Sequence, residues 1–213
     1  MTLHTFIEHT NLQVTATPSA ISKLCQEAKE YQFHGVCVHG CYVSLAQKEL
    51  QGSDVKIVSV IGFPLGAMSS AAKMEEAKQN LSDGADEIDM VLNLGWLKGQ
   101  CFEKVENDIA AVKMVVSDHP LKVILETCYL TDTEKVKACE LAQQAGADFV
   151  KTSTGFGTGG ATLADVQLLK TTVGDNMGIK ASGGIKTHQQ AERFIQAGAS
   201  RIGTSSGIDL LRP

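Results

Sequence analysis

The chain has 213 residues, 43% apolar and 20% charged, with a formal net charge of −5 at neutral pH. That length suits one globular domain over residues 1–213 with a sizeable core, and the composition speaks against disorder or a fibrous protein. There is no basic run to track a phosphate backbone and no stretch near the roughly 18–20 apolar residues of a membrane helix. The polar start, Met1 to Thr10, has no signal-peptide core. A cytoplasmic protein with no nucleic-acid or membrane partner is therefore expected.

Short apolar runs alternate with helical patterns along the whole chain. Phe6–His9 is the first predicted strand. Thr17 then stands as a cap before Pro18, and Ile21, Leu24, Cys25, Ala28 and Tyr31 follow at helical spacing. Gly35–Val38, Lys56–Phe63, Glu87–Leu92 and Lys122–Glu126 are the next four predicted strands. Thr131 and Glu134 form a capping box that opens a helix through Val136, Cys139 and Leu141. Asp148–Lys151, Ile179–Ser182 and Arg201–Thr204 complete eight strands, with Thr187 capping a helix that carries Ala191, Phe194 and Ile195. Several runs are almost wholly Val, Ile, Leu and Met, as in strands covered on both faces.

A glycine-alanine phrase recurs at Gly84-Ala85, Gly146-Ala147 and Gly198-Ala199, each shortly before a strand. Glycine just past a helix supplies the left-handed residue that ends it. Strand–helix alternation implies a parallel sheet, and eight units nearly exhaust the chain. The expected fold is α/β, a single (β/α)8 TIM barrel. The open doubly wound alternative is weakened because no G-x-G-x-x-G follows the first strand.

In a barrel, alternate strand residues point into the lumen. Ile88, Met90 and Leu92 suit the helix-facing side, which turns Glu87, Asp89 and Val91 inward. By the same alternation Val150 faces out, while Phe149, Lys151 and Ser153 face in. Asp89, Lys151 and Lys180 are thus charges set in core-like runs near strand ends, at the catalytic face of this fold. A buried charge costs several kcal/mol unless it is paired or functional. Two readings stay open here: an interior ion-pair network, Asp89 with one lysine and Glu126 with the other, or a catalytic cluster. Two close lysines disfavour each other's protonation, and a neutral lysine is a nucleophile.

Glycine-rich loops follow these strands. Lys151 leads into Thr152-Ser153-Thr154-Gly155, Lys180 into Ala181-Ser182-Gly183-Gly184, and the last strand into Gly203-Thr204-Ser205-Ser206-Gly207. Bare backbone N–H groups there can cradle a phosphate, and barrels often bind phosphate after strands 7 and 8. The six cysteines form no C-x-x-C pair and the histidines are scattered, so buried or half-buried free thiols and no metal are expected.

Over essentially its whole length the sequence resembles the deoxyribose-phosphate aldolase family. The resemblance is carried by Ile7-Glu8-His9-Thr10, Gly35-Val36-Cys37-Val38, Val60-Ile61-Gly62-Phe63-Pro64-Leu65-Gly66, Glu87-Ile88-Asp89-Met90-Val91 and Val123-Ile124-Leu125-Glu126-Thr127. It continues through Phe149-Val150-Lys151-Thr152-Ser153-Thr154-Gly155-Phe156, Lys180-Ala181-Ser182-Gly183-Gly184 and Arg201-Ile202-Gly203-Thr204-Ser205-Ser206-Gly207. It implies a class I aldolase that cleaves 2-deoxy-D-ribose 5-phosphate reversibly to D-glyceraldehyde 3-phosphate and acetaldehyde, with no cofactor and no metal. Lys151 is the implied Schiff-base lysine, Lys180 its perturbing partner, and Asp89 the proton relay. Thr10, Thr154, Gly155, Gly183, Gly184, Gly203, Ser205 and Ser206 are the implied substrate and phosphate contacts. A homo-oligomer, dimer or tetramer, is left open.

The chain departs from the family pattern in three places. Glu8 stands where aspartate is usual, His39-Gly40 where a proline is common, and the chain stops at Pro213 without the longer tail of many relatives. Two rivals remain: another Schiff-base sugar-phosphate aldolase, and a non-catalytic sugar-phosphate binder on the same fold.

Overall fold

The computed structural model describes residues 2–212. The strands are β1 (Ile7–Thr10), β2 (Gly35–His39), β3 (Lys56–Ile61), β4 (Glu87–Val91), β5 (Leu121–Ile124), β6 (Phe149–Lys151), β7 (Gly178–Ser182) and β8 (Arg201–Thr204). They close in sequence order into a parallel barrel, and β8 pairs back onto β1. The helices between them are α1 (Pro18–Glu30), α2 (Val43–Glu49), α3 (Ser70–Ser82), α4 (Leu94–Lys98), α5 (Phe102–Val116), α6 (Asp132–Gln144), α7 (Leu163–Val173) and α8 (His188–Gln196). No helix among the described residues is long and apolar enough to cross a membrane.

The punctuation read from the sequence acts as expected. Thr17 caps α1 with Pro18 behind it, and Thr131 and Glu134 close a capping box on α6. Thr187 and Gln190 make a second box on α8. Gly84, Gly146 and Gly198 lie at φ +107°, +80° and +113°, so each can turn a helix end into the next strand at no cost to a side chain.

Three strands end earlier than expected, β4 by one residue at Val91 and two others by two residues. β3 stops at Ile61 because Gly62, at φ +62°, turns the backbone out of the sheet. β5 stops at Ile124, and Glu126 takes a left-handed conformation at φ 51°, ψ 62°.

The main core lies between sheet and helices. Ile88, Met90, Leu92, Val123, Val150, Ile179 and Ile202 pack there against residues such as Ile21, Ile109 and Leu169. Each such side chain contributes about 1.5–3 kcal/mol when fully removed from water. A smaller apolar cluster of Leu12, Cys37, Val58 and Val60, with Phe63 against it, fills the β1–β3 side of the lumen. Most of the barrel's buried charge lies in the rest of the lumen.

One fully buried ion pair among the described residues lies outside it. Lys73 of α3, fully buried, donates to Asp108 of α5 at 2.6 Å and to the Val91 carbonyl at 3.0 Å, tying two helices to the end of β4. Burial pulls the Lys73 ammonium below the usual lysine range, against the pull of Asp108.

Candidate active site

Strand register brings the predicted trio together. Lys151 and Lys180 are neighbours across β6 and β7, and Asp89 reaches them from β4. Asp89 Oδ2 accepts from Lys151 Nζ at 2.8 Å and from Lys180 Nζ at 2.6 Å. All three are buried, Asp89 completely. Only Lys151 ends its strand; Asp89 and Lys180 lie mid-strand, deeper in the barrel than expected.

The network is larger than the trio. Lys122, on β5 beside Asp89, donates to Asp89 Oδ1 at 3.0 Å and pairs with Glu87 at 2.5 Å. It also lies 3.6 Å from Glu8 Oε1. Glu8 accepts from Lys180 through Oε2, and Arg201 Nε stands 4.0 Å from its Oε1. His34 bonds Glu87 at 3.2 Å. The ring of Phe149 sits beneath, 5.8 Å from Lys122 Nζ and 5.5 Å from the Arg201 guanidinium.

This corrects the ion-pair reading of the sequence. One carboxylate, Asp89, serves three lysines, and Glu126 pairs with no lysine among the described residues. Glu126 accepts instead from the backbone N–H of Thr154 at 3.1 Å and from its hydroxyl. The longer side chain at Glu8 is accommodated, since its carboxylate meets Lys180 directly.

The titrations follow from this packing. Burial drives the Asp89 carboxyl up, but Lys122, Lys151 and Lys180 overcome it and hold Asp89 well below the usual carboxylate range. Burial likewise lowers Lys180, yet Asp89 and Glu8 outweigh it and raise the ammonium well above the usual lysine value. Lys122 is raised in the same way, by Asp89 and Glu8 against burial. Glu87, despite burial, is held down at about 2 by His34 and Lys122. The side chains close enough to share a cation, Glu8 with His34 and Glu87, and Glu8 with Cys37 and Asp89, are already bridged by the Lys122 and Lys180 ammonium groups.

A cavity of about 550 Å³ opens at the C-terminal end of the barrel and reaches down to Lys151. Asp89 and Lys180 do not line it; they lie behind the lysine. Of the expected contacts, Thr10, Thr154, Gly155, Gly183, Gly184, Gly203 and Ser205 line the cavity, and Ser206 does not. The Ser206 N–H is turned back onto the Thr204 hydroxyl at 2.9 Å. Thr154 spends its N–H and O–H on Glu126 and accepts from Phe156 N at 3.0 Å, so its hydroxyl proton is already committed.

Gly183 and Gly184 are both left-handed, at φ +93° and +79°. Among the described residues their N–H groups and that of Ser205 meet no protein acceptor, which leaves them for an anion. Gly203 serves a different need: a Cβ there would stand 2.9 Å from Ser182 Cβ and 3.1 Å from Lys180 Cε. The absent side chain makes room for the buried lysine. Sequence reasoning missed the outer wall of the cavity, where His9, Lys23, Glu27 and Lys186 also line it. Their only signal was a place on the loops and helix beside β1 and β7.

A closed barrel whose glycine-lined, anion-ready cavity ends on a buried lysine is built as a lysine-dependent barrel aldolase. Residues 7–212 match the family model of the DeoC/LacD family aldolases, and the chain belongs to that family. It is 57% identical over 206 residues to the deoxyribose-phosphate aldolase of Thermotoga maritima, covering 97% of this chain and 83% of that one. It is 58% identical over 210 residues to that of Thermococcus kodakarensis, covering 97% and 94%. Among solved structures, a tetrameric deoxyribose phosphate aldolase from Aeropyrum pernix superposes with a TM-score of 0.91 at 35% identity, over 98% of this chain and 89% of that one.

Proposed function

We propose that this chain cleaves 2-deoxy-D-ribose 5-phosphate reversibly to D-glyceraldehyde 3-phosphate and acetaldehyde through a Schiff base on Lys151. The observation that carries this reading is the setting of Lys151. It is the one member of the buried lysine–aspartate network that lines the cavity, and two glycine amides stand ready for an anion beside it. Named relatives of the same activity, at more than half identity over nearly the whole chain, support the choice of substrate.

The lumen holds the carboxylates of Glu8, Glu87 and Asp89 against the cations Lys122, Lys180 and Arg201, with Lys151 beside Asp89. Lys122 and Lys180 are held protonated by their carboxylates, and Lys151 is the lysine of the three that the cavity reaches. As a neutral amine, Lys151 attacks the C1 aldehyde of the open-chain sugar, and water leaves as the iminium forms. That iminium is an electron sink. The electrons of the C2–C3 bond flow into it as the C3 hydroxyl gives up its proton, and glyceraldehyde 3-phosphate departs. The remaining enamine is protonated at C2 and hydrolysed to acetaldehyde. Asp89 Oδ2 accepts from both amines, so a proton leaving Lys151 meets a carboxylate oxygen at 2.8 Å.

The phosphate takes no part in bond making. Held by the amides of Gly183, Gly184 and Ser205, it would orient C1 towards Lys151. Assembly into a homo-oligomer is part of the same proposal, supported by the tetrameric relative. A coupled assay of acetaldehyde release, run on deoxyribose 5-phosphate beside ribose 5-phosphate and free deoxyribose, tests the reading. Release from deoxyribose 5-phosphate in clear preference to both others is expected; no release from it would refute the substrate.

A further inference from the structure

Glu126 has no role in the reaction as described, yet the fold treats it as special. It is 3% exposed, and no cation among the described residues lies within ion-pair distance of its carboxylate. An uncompensated buried carboxylate is costly unless hydrogen bonds hold it. Its backbone is left-handed, a conformation that costs a residue with a side chain roughly 1–2 kcal/mol. Burial, charge and strain converge on one residue at the end of β5.

What the carboxylate holds is the loop after the candidate nucleophile. Both of its oxygens accept from Thr154, one from the N–H and one from the hydroxyl. The same hydroxyl oxygen accepts from Phe156 N at 3.0 Å. The loop is fitted closely over the carboxylate: a Cβ on Gly157 would come within 3.1 Å of Glu126 Cδ and 2.9 Å of Cys128 Sγ.

Phe156, so held, meets Phe63 edge-on at 5.4 Å, and Phe63 meets His39 at 5.7 Å. His39 Nε2 donates to the Leu12 carbonyl at 3.0 Å. These contacts run from the loop after β6 to the loops after β3 and β1 by way of His39 at the end of β2, and Phe156 and Leu12 are the members that line the cavity. Phe63, after β3, lies across the barrel from the Gly183–Gly184 loop, since β3 and β7 are opposite strands.

We propose that Glu126 is a positioning residue for the reaction: its carboxylate fixes the Thr154–Gly157 loop and with it Phe156, which lines the cavity and is braced from behind by Phe63. This rests on the reaction proposed above. Substrate held at the phosphate end alone would find Lys151 less often, so the loss falls on KM more than on kcat.

The experiment compares Glu126→Gln, Thr154→Val, the double variant and Thr154→Ser, by steady-state kinetics on deoxyribose 5-phosphate, thermal melts and amide hydrogen exchange. Each of the first two breaks a hydrogen bond to a charged group and should raise KM roughly tenfold with kcat held within about threefold. The double variant should lose clearly less than the product of the two singles, because both cut the hydroxyl–carboxylate contact. Thr154→Ser, which keeps both donors, should recover most of the KM lost in Thr154→Val. Peptides spanning residues 152–161 should exchange faster in both singles while the β4 and β5 peptides do not.

Losses that multiply in the double variant, or an unchanged KM with only a lowered melting temperature, would overturn the proposal. So would unchanged exchange in the loop. A wild-type chain that releases no acetaldehyde would condemn the reaction itself; an active wild type with indifferent variants would condemn only the role of Glu126.

Discussion

Replacing Lys180 by leucine separates the roles a second lysine could play. The Lys180 ammonium donates to Asp89 Oδ2 at 2.6 Å, on the oxygen that Lys151 reaches at 2.8 Å. Carboxylates outweigh burial and keep Lys180 charged through the neutral range. Two like charges held on one carboxylate oxygen repel by about 3 kcal/mol at roughly 5 Å and an effective dielectric of about 20. Without Lys180, kcat/KM at neutral pH should fall by about that energy, roughly a hundredfold, and recover as pH is raised. The variant should also melt lower, because Glu8 loses its nearest cation. Breaking a buried pair costs about 3–5 kcal/mol, or roughly 6–20 °C for a domain of this size. Glu8→Gln in the same background relieves the orphaned carboxylate and keeps the variant measurable. The assay is a pH–rate profile from neutral to alkaline pH beside a thermal melt. A loss of equal depth at every pH would refute the electrostatic argument and make Lys180 a proton donor. A folded variant with wild-type rates throughout would refute both roles.

The other expectations are quickly stated. Gly184→Val places a β-branched residue at φ +79°, where no neighbour blocks it but the backbone resists, and activity on deoxyribose 5-phosphate should fall far more than on free deoxyribose; equal losses would move the phosphate elsewhere. Glu87, lowered from 4.5 to about 2, stabilises the fold above pH 4.5 and loses that contribution as pH falls towards 2. Equilibrium unfolding of Glu87→Gln should therefore show a shallower acid limb, by at most about 3 kcal/mol; an unchanged slope contradicts the pairing. Lys73→Met orphans Asp108 and should cost about 3–5 kcal/mol, whereas Lys73→Met with Asp108→Leu should regain most of it; denaturant titration of the two decides.

The fold was legible because eight apolar runs and their caps repeat one unit, and each of those runs is a strand. The trio was legible because Asp89, Lys151 and Lys180 interrupt runs that should be core. Lys122 was passed over because it opens its run and reads as a solvent-facing first residue, while register sets it beside Asp89 inside the lumen. One of the two open readings pairs Glu126 with a lysine because a buried carboxylate ordinarily wants a cation. Backbone geometry decides against it: a left-handed turn at Glu126 aims the carboxylate at Thr154. Thr154 and Ser206, expected as ligands, are partly committed inside the protein. Such competition between ligand and fold is invisible until the partners are in place.

The central claim is that Lys151 forms the covalent intermediate. Incubating the protein with deoxyribose 5-phosphate and borohydride, digesting it and locating the reduced adduct by mass spectrometry tests that claim most directly. The account expects one adduct, on the peptide that carries Lys151, absent from Lys151→Arg and absent without substrate. An adduct on Lys180 or Lys122 with Lys151 unmodified, or no adduct from a protein that still releases acetaldehyde, would contradict it.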